Sequence, residues 1–414
     1  MLMETLEEHR MSHHVLSDVL EKQDLPVQER RFVNRLYCGT LEKLVYLDYV
    51  LDQFSSVPVR KMKPVIRNIL RLSLYQIRFM NSVPVPVSID EGVRLTRKRG
   101  FQNLTGFVNA VLRRVSAESD RLELPEYVKA FAPEWIWNLI CRQYTRPVAL
   151  DFFAAVQVSP APVIFRPNLR KGTKEATFLA LREEGCQVTE LGISNACVLE
   201  QFDRLTTLKA FQDGLIIMQD IGSMMTTEIA SEGMTNPQLV VDVCAAPGGK
   251  SLFLAEKFPQ TRILSRDLTS AKTALIEANQ KRLGITNLEP QVFDARKHDE
   301  SLTRAADLVI ADLPCSGLGV IRRKPDLLYR LKQEDLTELA SLQRQILTTV
   351  QSYVKPGGIL VYSTCTVNRG ENQEQTAWFQ EQFPFRLERE EQYLPGRDPG
   401  DGFYIARFRR QTRT

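Results

Sequence analysis

The chain has 414 residues, of which 43% are hydrophobic and 25% charged. It is too long for one ordinary domain and too apolar to be disordered, so two or three globular domains are expected. Its 54 Lys and Arg against 50 Asp and Glu give a formal charge of only +4. No apolar run approaches the roughly eighteen residues of a membrane span, and Glu4, Glu7 and Glu8 stand where a secretory signal would be basic, so neither is expected. The seven cysteines include no C-x-x-C pair. In a chain of this size that points to reduced thiols in the cytoplasm and to no metal site.

In chain order, residues 1 to 130 read as helical. Phe32, Leu36, Leu41, Leu44, Leu47 and Leu51 suggest one apolar stripe, and Phe101, Leu104, Phe107, Val108, Val111, Leu112 and Val115 a second. The breaker Val83-Pro84-Val85-Pro86-Val87 predicts a loop, with Ser88 as the cap of the next helix. Five or more helices in an all-α bundle follow. Between Arg60 and Arg114, twelve basic residues face only Asp90 and Glu91. A local excess of that size suits a face for a polyanion such as RNA.

Residues 131 to 215 read as a connector and a small α+β module, with a strand running into a turn at Val163 to Asn168, weaker strand candidates at Cys186 to Leu191 and Ala196 to Glu200, and a helix at Lys174 to Glu184. From 216 to 414 strands and helices alternate. Leu239 to Ala245, Arg262 to Leu268, Glu289 to Phe293, Asp307 to Ala311 and Gly358 to Ser363 are strand candidates, with helices at Ser270 to Leu283 and Glu334 to Val354. This order predicts a doubly wound, mostly parallel sheet that binds ligands at the carboxyl ends of its strands.

The first of these strands runs into Cys244, Ala245, Ala246, Pro247, Gly248, Gly249 and Lys250. A Walker A loop would need glycine at Cys244, and a dinucleotide fingerprint would need a third glycine, so neither ATP nor NAD is favoured. A small-residue turn that lets the backbone approach a ligand remains. Asp267, Asp294 and Asp312 close the next three strands. Acids at successive strand ends suit a ligand carrying a ribose, an exocyclic amine and an ammonium group, which S-adenosylmethionine provides.

Cys315 follows the fourth strand and Cys365 the fifth, on the rim that holds the glycine turn, whereas Cys38, Cys141, Cys186 and Cys197 read as packing residues. A thiol beside S-adenosylmethionine suits methylation of a poor carbon nucleophile. Carbon 5 of cytosine is such an atom, made reactive when a thiolate adds to carbon 6. Asp312 is the nearest acid for ring nitrogen 3, and Lys250 or a helix N-terminus could assist ionisation of the thiol. The residues alone leave open which cysteine attacks. Arg322, Arg323 and Lys324, and Arg407, Arg409, Arg410 and Arg413, are candidate RNA contacts.

Cys244 to Lys250 (CAAPGGK), Asp312 to Arg323 (DLPCSGLGVIRR), Lys324-Pro325-Asp326, Ser363 to Thr366 (STCT), Glu371-Asn372 and Asp401 to Arg407 closely resemble RNA (cytosine-C5) methyltransferases. Ile69 to Tyr75 and Phe107 to Val115 resemble a NusB-type RNA-binding domain. Their combination resembles the bacterial RsmB type, whose substrate is small-subunit (16S) ribosomal RNA. The resemblance implies a Rossmann-like methyltransferase domain, an RRM-like middle module and S-adenosylmethionine as cofactor. It also implies Cys365 as nucleophile, Cys315 as the residue that helps release the product, and cofactor contacts from Cys244 to Lys250, Asp267, Asp294 and Asp312. A monomer acting on RNA is expected. A transfer RNA substrate, or a non-catalytic RNA-binding factor, are the competing readings.

Overall fold

A computed structural model describes residues 1–23, 25–158 and 160–412. The chain forms two compact units, one from residues 1–158 and 321–332, the other from the remaining described residues.

The first unit is all-helical. Its core is built by Leu44–Phe54, Pro64–Phe79 and Thr105–Glu118, whose Leu47, Leu51, Leu70, Leu74, Val108, Leu112 and Val115 are fully buried. The first expected stripe proves to be two helices, Val27–Glu42 and Leu44–Phe54, divided at Lys43. The five-residue step from Leu36 to Leu41 already breaks the helical repeat, and Phe32 is exposed. Ser88 is not a cap. The next helix, Val85–Lys98, starts inside the proline run, because Pro86 in its first turn gives up an N–H that would have had no partner, and the Ser88 N–H bonds the Pro84 carbonyl. Glu134–Gln143 and Arg146–Val156, within the expected connector, also belong to this unit.

Residues 321–332 return to the helical unit between the fourth and fifth strands of the second unit. Asp326 accepts the Ser12 hydroxyl, and the Tyr329 hydroxyl donates to the Leu41 carbonyl at 2.7 Å. The basic excess is smaller in space than in sequence. Arg67 pairs with Glu7, Arg71 with Asp48, Arg78 with Asp120 and Arg94 with Glu91, and three of these four acids come from outside the segment.

The second unit contains two sheets. The small one is antiparallel, with β1 (Val163–Pro167), β2 (Gln187–Glu190), β3 (Cys197–Glu200) and β4 (Ile216–Met218) in the order β2-β3-β1-β4, packed with the helix Lys174–Glu183 over Phe165, Leu181, Cys197 and Ile216. Its last strand begins at Ile216, so the module extends past residue 215. Arg166 of β1 is buried against Glu256, on the helix Gly249–Lys257, and bonds Gln219 at 2.8 Å, which ties the module to that helix.

The larger sheet has the order β10-β11-β9-β8-β5-β6-β7, formed by β5 (Leu239–Asp242), β6 (Arg262–Asp267), β7 (Leu288–Val292), β8 (Ala306–Asp312), β9 (Val354–Thr364), β10 (Phe385–Tyr393) and β11 (Phe403–Arg410). The strands from β5 to β9 pair in parallel, and β10 and β11 add an antiparallel edge. Val240, Val241, Leu308, Val309, Leu360 and Val361 are fully buried, as expected for strands covered on both faces. Asp242, Asp312 and Thr364 thereby end three adjacent strands on one rim.

Candidate active site

The glycine turn follows β5. Gly248 has φ of 104°, a conformation that L side chains rarely adopt, and it precedes the helix Gly249–Lys257. Gly249 is under no such constraint. A Cβ there would lie 3.6 Å or more from its nearest neighbour, Gln219, so its missing side chain leaves room for a ligand. The Ala246 N–H is held by Asp267 at 3.0 Å; the other Asp267 oxygen accepts from Leu268 N at 2.7 Å and faces Lys272 at 2.9 Å.

Asp242 carries a signal that the sequence reading passed over. It is 1% exposed; one carboxylate oxygen accepts from Ser251 at 2.5 Å, and the other is buried with no partner of normal hydrogen-bond geometry. Such an acceptor is costly to leave open. Placed directly before the glycine turn, it fits a cofactor that brings an ammonium donor. Burial pushes the Asp242 carboxyl up to about 7, from 3.8. Between those values the folded protein holds a proton that the unfolded chain releases, so stability from this group falls as pH rises through that window. Cofactor-free protein should therefore gain melting temperature, relative to Asp242→Asn, as pH is lowered from about 7 to 4. Parallel profiles for the two proteins would remove this assignment.

Asp312 ends β8 and is held from two sides, by Lys250 Nζ at 2.6 Å and by Ser363 Oγ at 2.7 Å. Burial opposes charge on Lys250, but Asp312 offsets this and holds the ammonium above its ordinary value. Lys250 thus serves Asp312 directly, and its Nζ lies 5.4 Å from the centre of the Phe403 ring. Asp294 follows β7, next to Phe293, whose N–H bonds the Asp267 carbonyl at 2.9 Å. Arg296 claims both Asp294 oxygens and lowers the carboxyl to about 2. Cys244 is half-buried in the sheet core, where burial raises its thiol.

The two remaining thiols meet. Cys315, on the loop after β8, and Cys365, on the loop after β9, place their Sγ atoms 3.4 Å apart. The hydrogen bond that the Cys315 thiol donates to Cys365, together with burial, pushes Cys315 well up. The loops are locked by backbone as well. Gly319 N donates to the Cys365 carbonyl at 3.1 Å, and Gly402 N to the Gly319 carbonyl at 2.9 Å. Ser316 Oγ lies 2.8 Å from Thr366 Oγ1. Sequence reasoning ranked the cysteines correctly as rim residues but could not foresee this contact, which depends on loop conformation.

The C-terminal arginines are not free to grip RNA as expected. They stitch the antiparallel edge together: Arg407 pairs with Glu388 and is 6% exposed, Arg409 bonds Glu388 and the Gly357 carbonyl, and Arg410 bonds the Gln351 and Val354 carbonyls. Arg413 lies outside the described residues. Arg322 donates to the Val158 carbonyl within the helical unit.

Residues 233–409 match the family model described as 16S rRNA methyltransferase RsmB/F, and residues 1–117 match the NusB family. Over 97% of this chain and 95% of the relative, the chain is 32% identical to the probable ribosomal RNA small subunit methyltransferase B of Bacillus subtilis (strain 168). The chain belongs to the RsmB/F family of methyltransferases. A second relative, ribosomal RNA small subunit methyltransferase B of Pasteurella multocida (strain Pm70), is 28% identical over 94% of this chain and 89% of its own length. The crystal structure of PH0851 superposes with a TM-score of 0.81 at 25% identity, covering 95% of this chain and 93% of that one. S-adenosylmethionine is the cofactor of this RsmB/F methyltransferase, and the open Asp242 acceptor and the glycine turn fit it. Among the described residues no helix is long and apolar enough to cross a membrane.

Proposed function

We propose that this RsmB/F protein methylates carbon 5 of one cytosine in small-subunit ribosomal RNA, in the cytoplasm, through a covalent adduct between Cys365 and carbon 6. The observation that carries this reading is the pair of thiols 3.4 Å apart on the rim that also holds the glycine turn. S-adenosylmethionine, when bound, supplies an electrophilic methyl group, and Asp242, Asp267 and the backbone of residues 244–250 are the groups placed to hold it.

The chain's own residues then divide the work. Cys365, as thiolate, adds to carbon 6 and makes carbon 5 nucleophilic. Charge that develops at nitrogen 3 and the adjoining carbonyl oxygen is met by the Asp312–Lys250 pair; Asp312 directs that pair and the ammonium supplies the proton. Once carbon 5 carries the methyl group, its proton passes to water and the electrons of that C–H bond restore the ring double bond. The carbon–sulfur bond breaks with its electron pair returning to Cys365, and nitrogen 3 gives its proton back to Lys250. The protonated Cys315 thiol lies where it can hydrogen-bond the departing sulfur. A base inside a helix is hidden, so the target must lie in a loop or be extruded, at a cost of roughly a few kcal/mol of unstacking.

Bisulfite sequencing of 16S rRNA from cells lacking the protein tests the reading. One 5-methylcytosine should vanish, and wild-type protein but not Cys365→Ala should restore it. An unchanged 16S map together with a lost site in transfer RNA would move the substrate to that class, and unchanged maps for both would leave a binding factor.

A further inference from the structure

Glu371 and Asn372 follow the Cys365 loop, belong to neither strand nor turn of the site described above, and are both fully buried. Glu371 reaches across to the other loop. One of its oxygens accepts from Ser316 N at 2.8 Å and Gln343 Nε2 at 3.3 Å; the other accepts from Ser316 Oγ at 2.5 Å and Asn368 Nδ2 at 3.0 Å. Ser316 is the residue after Cys315. Asn372 turns back onto its own loop, accepting from Thr364 Oγ1 at 2.6 Å and donating to the Thr366 carbonyl at 3.0 Å. Those two residues flank Cys365.

The scaffold around the pair is itself buried. Tyr362 donates to the Glu371 carbonyl and to Gln343 Oε1, and Gln343 also donates to the Pro314 carbonyl at 2.9 Å, on the other side of Cys315. Cys315 is therefore bracketed by Glu371 through Ser316 and by Gln343 through Pro314, while Cys365 is bracketed by Asn372. A buried carboxyl in this place has a cost, since burial raises its pKa against the pull of its donors. Such a cost is consistent with a positional task, because hydrophobic residues would fill the volume without fixing either loop.

We propose that Glu371 and Asn372 are positioning residues that set the separation of the two thiols, with Glu371 governing Cys315 and Asn372 governing Cys365. This deepens the covalent reading above and rests on it. The division of labour makes the two residues separable. A loosened Cys315 impairs release and lets adduct build up; a loosened Cys365 impairs attack and lets none form.

Glu371→Gln is nearly isosteric, but all four groups facing Glu371 can donate, so an amide nitrogen there meets at least one N–H donor and forces the Ser316 loop to adjust. Turnover on rRNA should fall on the order of 10²-fold, the scale of a misplacement near 1 Å. Covalent protein–RNA complex, seen as a retarded band in a denaturing gel, should rise above the wild-type level. Asn372→Ala should lower turnover comparably without any retarded band. Melting temperatures are measured for both, and Asn372→Asp, which keeps the acceptor for Thr364, should recover part of the lost turnover. Cys315→Ala is run alongside. If it traps RNA and Glu371→Gln does not, or if both variants lose turnover only in proportion to lost folded protein, the positioning roles fall. If Cys315→Ala itself fails to trap, the covalent reading fails first.

Discussion

Cys365→Ala is expected to abolish methyl transfer to rRNA, by on the order of 10⁴-fold or more, because losing a covalent nucleophile removes the step on which the other groups act. Cys315→Ala is expected to behave differently: attack proceeds, release stalls, and protein accumulates on RNA as a slow band in a denaturing gel. The contrast follows from the structure of the pair. The thiols lie 3.4 Å apart, and the hydrogen bond to Cys365 together with burial pushes Cys315 well up, which fits the proposed donor to a departing sulfur better than an attacking thiolate. DNA cytosine methyltransferases place the nucleophile in the Pro-Cys motif, here Cys315. Trapping by Cys365→Ala together with loss of adduct in Cys315→Ala would assign the chemistry that way round.

A second large effect is expected at Gly319. A Cβ added there would stand 2.0 Å from the Gly402 carbonyl oxygen and 2.8 Å from its Cα, and both atoms are backbone, so neither can swing aside. The loop would have to shift, and Gly319 N is the donor that fixes the Cys365 carbonyl. Gly319→Ala should therefore cost about 1–3 kcal/mol of stability, the usual range for overpacking. It should also lower methyl transfer on the order of 10²-fold through displaced thiols. Gly106→Ala is the matched control, since a Cβ there meets nothing within 4 Å. Thermal melts and single-turnover methylation check both; equal behaviour of the two variants would mean that the close approach of the Gly319 and Gly402 backbones has no functional weight.

How much of this was legible in the sequence depends on the range of the interaction. Strands β5, β6, β8 and β9 declared themselves through short, largely apolar runs, and the helix Ser270–Leu283 through its length, because burial on both faces leaves a continuous local signature. The edge strands β10 and β11 did not. Phe385–Tyr393 is rich in Arg and Glu, most of its side chains are only half-buried, and its partner carries the arginines that looked like RNA contacts. A charge count cannot tell a free arginine from one paired with an acid far along the chain. The same limit inflated the basic face of residues 60–114 until Glu7, Asp48 and Asp120 were seen against it.

In the site, motif and strand-end position were enough to place Asp267, Asp312 and both cysteines at or just past strand ends and Lys250 on the helix after the glycine turn, since these places follow from topology. Asp294 falls just past the end of β7 as expected, and its pairing with Arg296, two residues along, was not legible in the pattern of strand-end acids. The open oxygen of Asp242 and the four donors around Glu371 were beyond reach, because both are properties of buried hydrogen-bond geometry and not of residue type. Within the helical unit, Asp326 and Tyr329 show the same thing: they follow the Arg322–Lys324 triplet and bond Ser12 and the Leu41 carbonyl, partners about three hundred residues away that residue type does not announce.

The most direct test is to ask which sulfur bonds to the base. Small-subunit rRNA carrying 5-fluorocytosine cannot lose the substituent at carbon 5 after methylation, so wild-type protein supplied with S-adenosylmethionine should remain attached. Protease digestion and tandem mass spectrometry should then find the nucleotide on the peptide containing Cys365. A nucleotide on Cys315, or no attachment while methylation of ordinary rRNA proceeds, would contradict a Cys365 adduct.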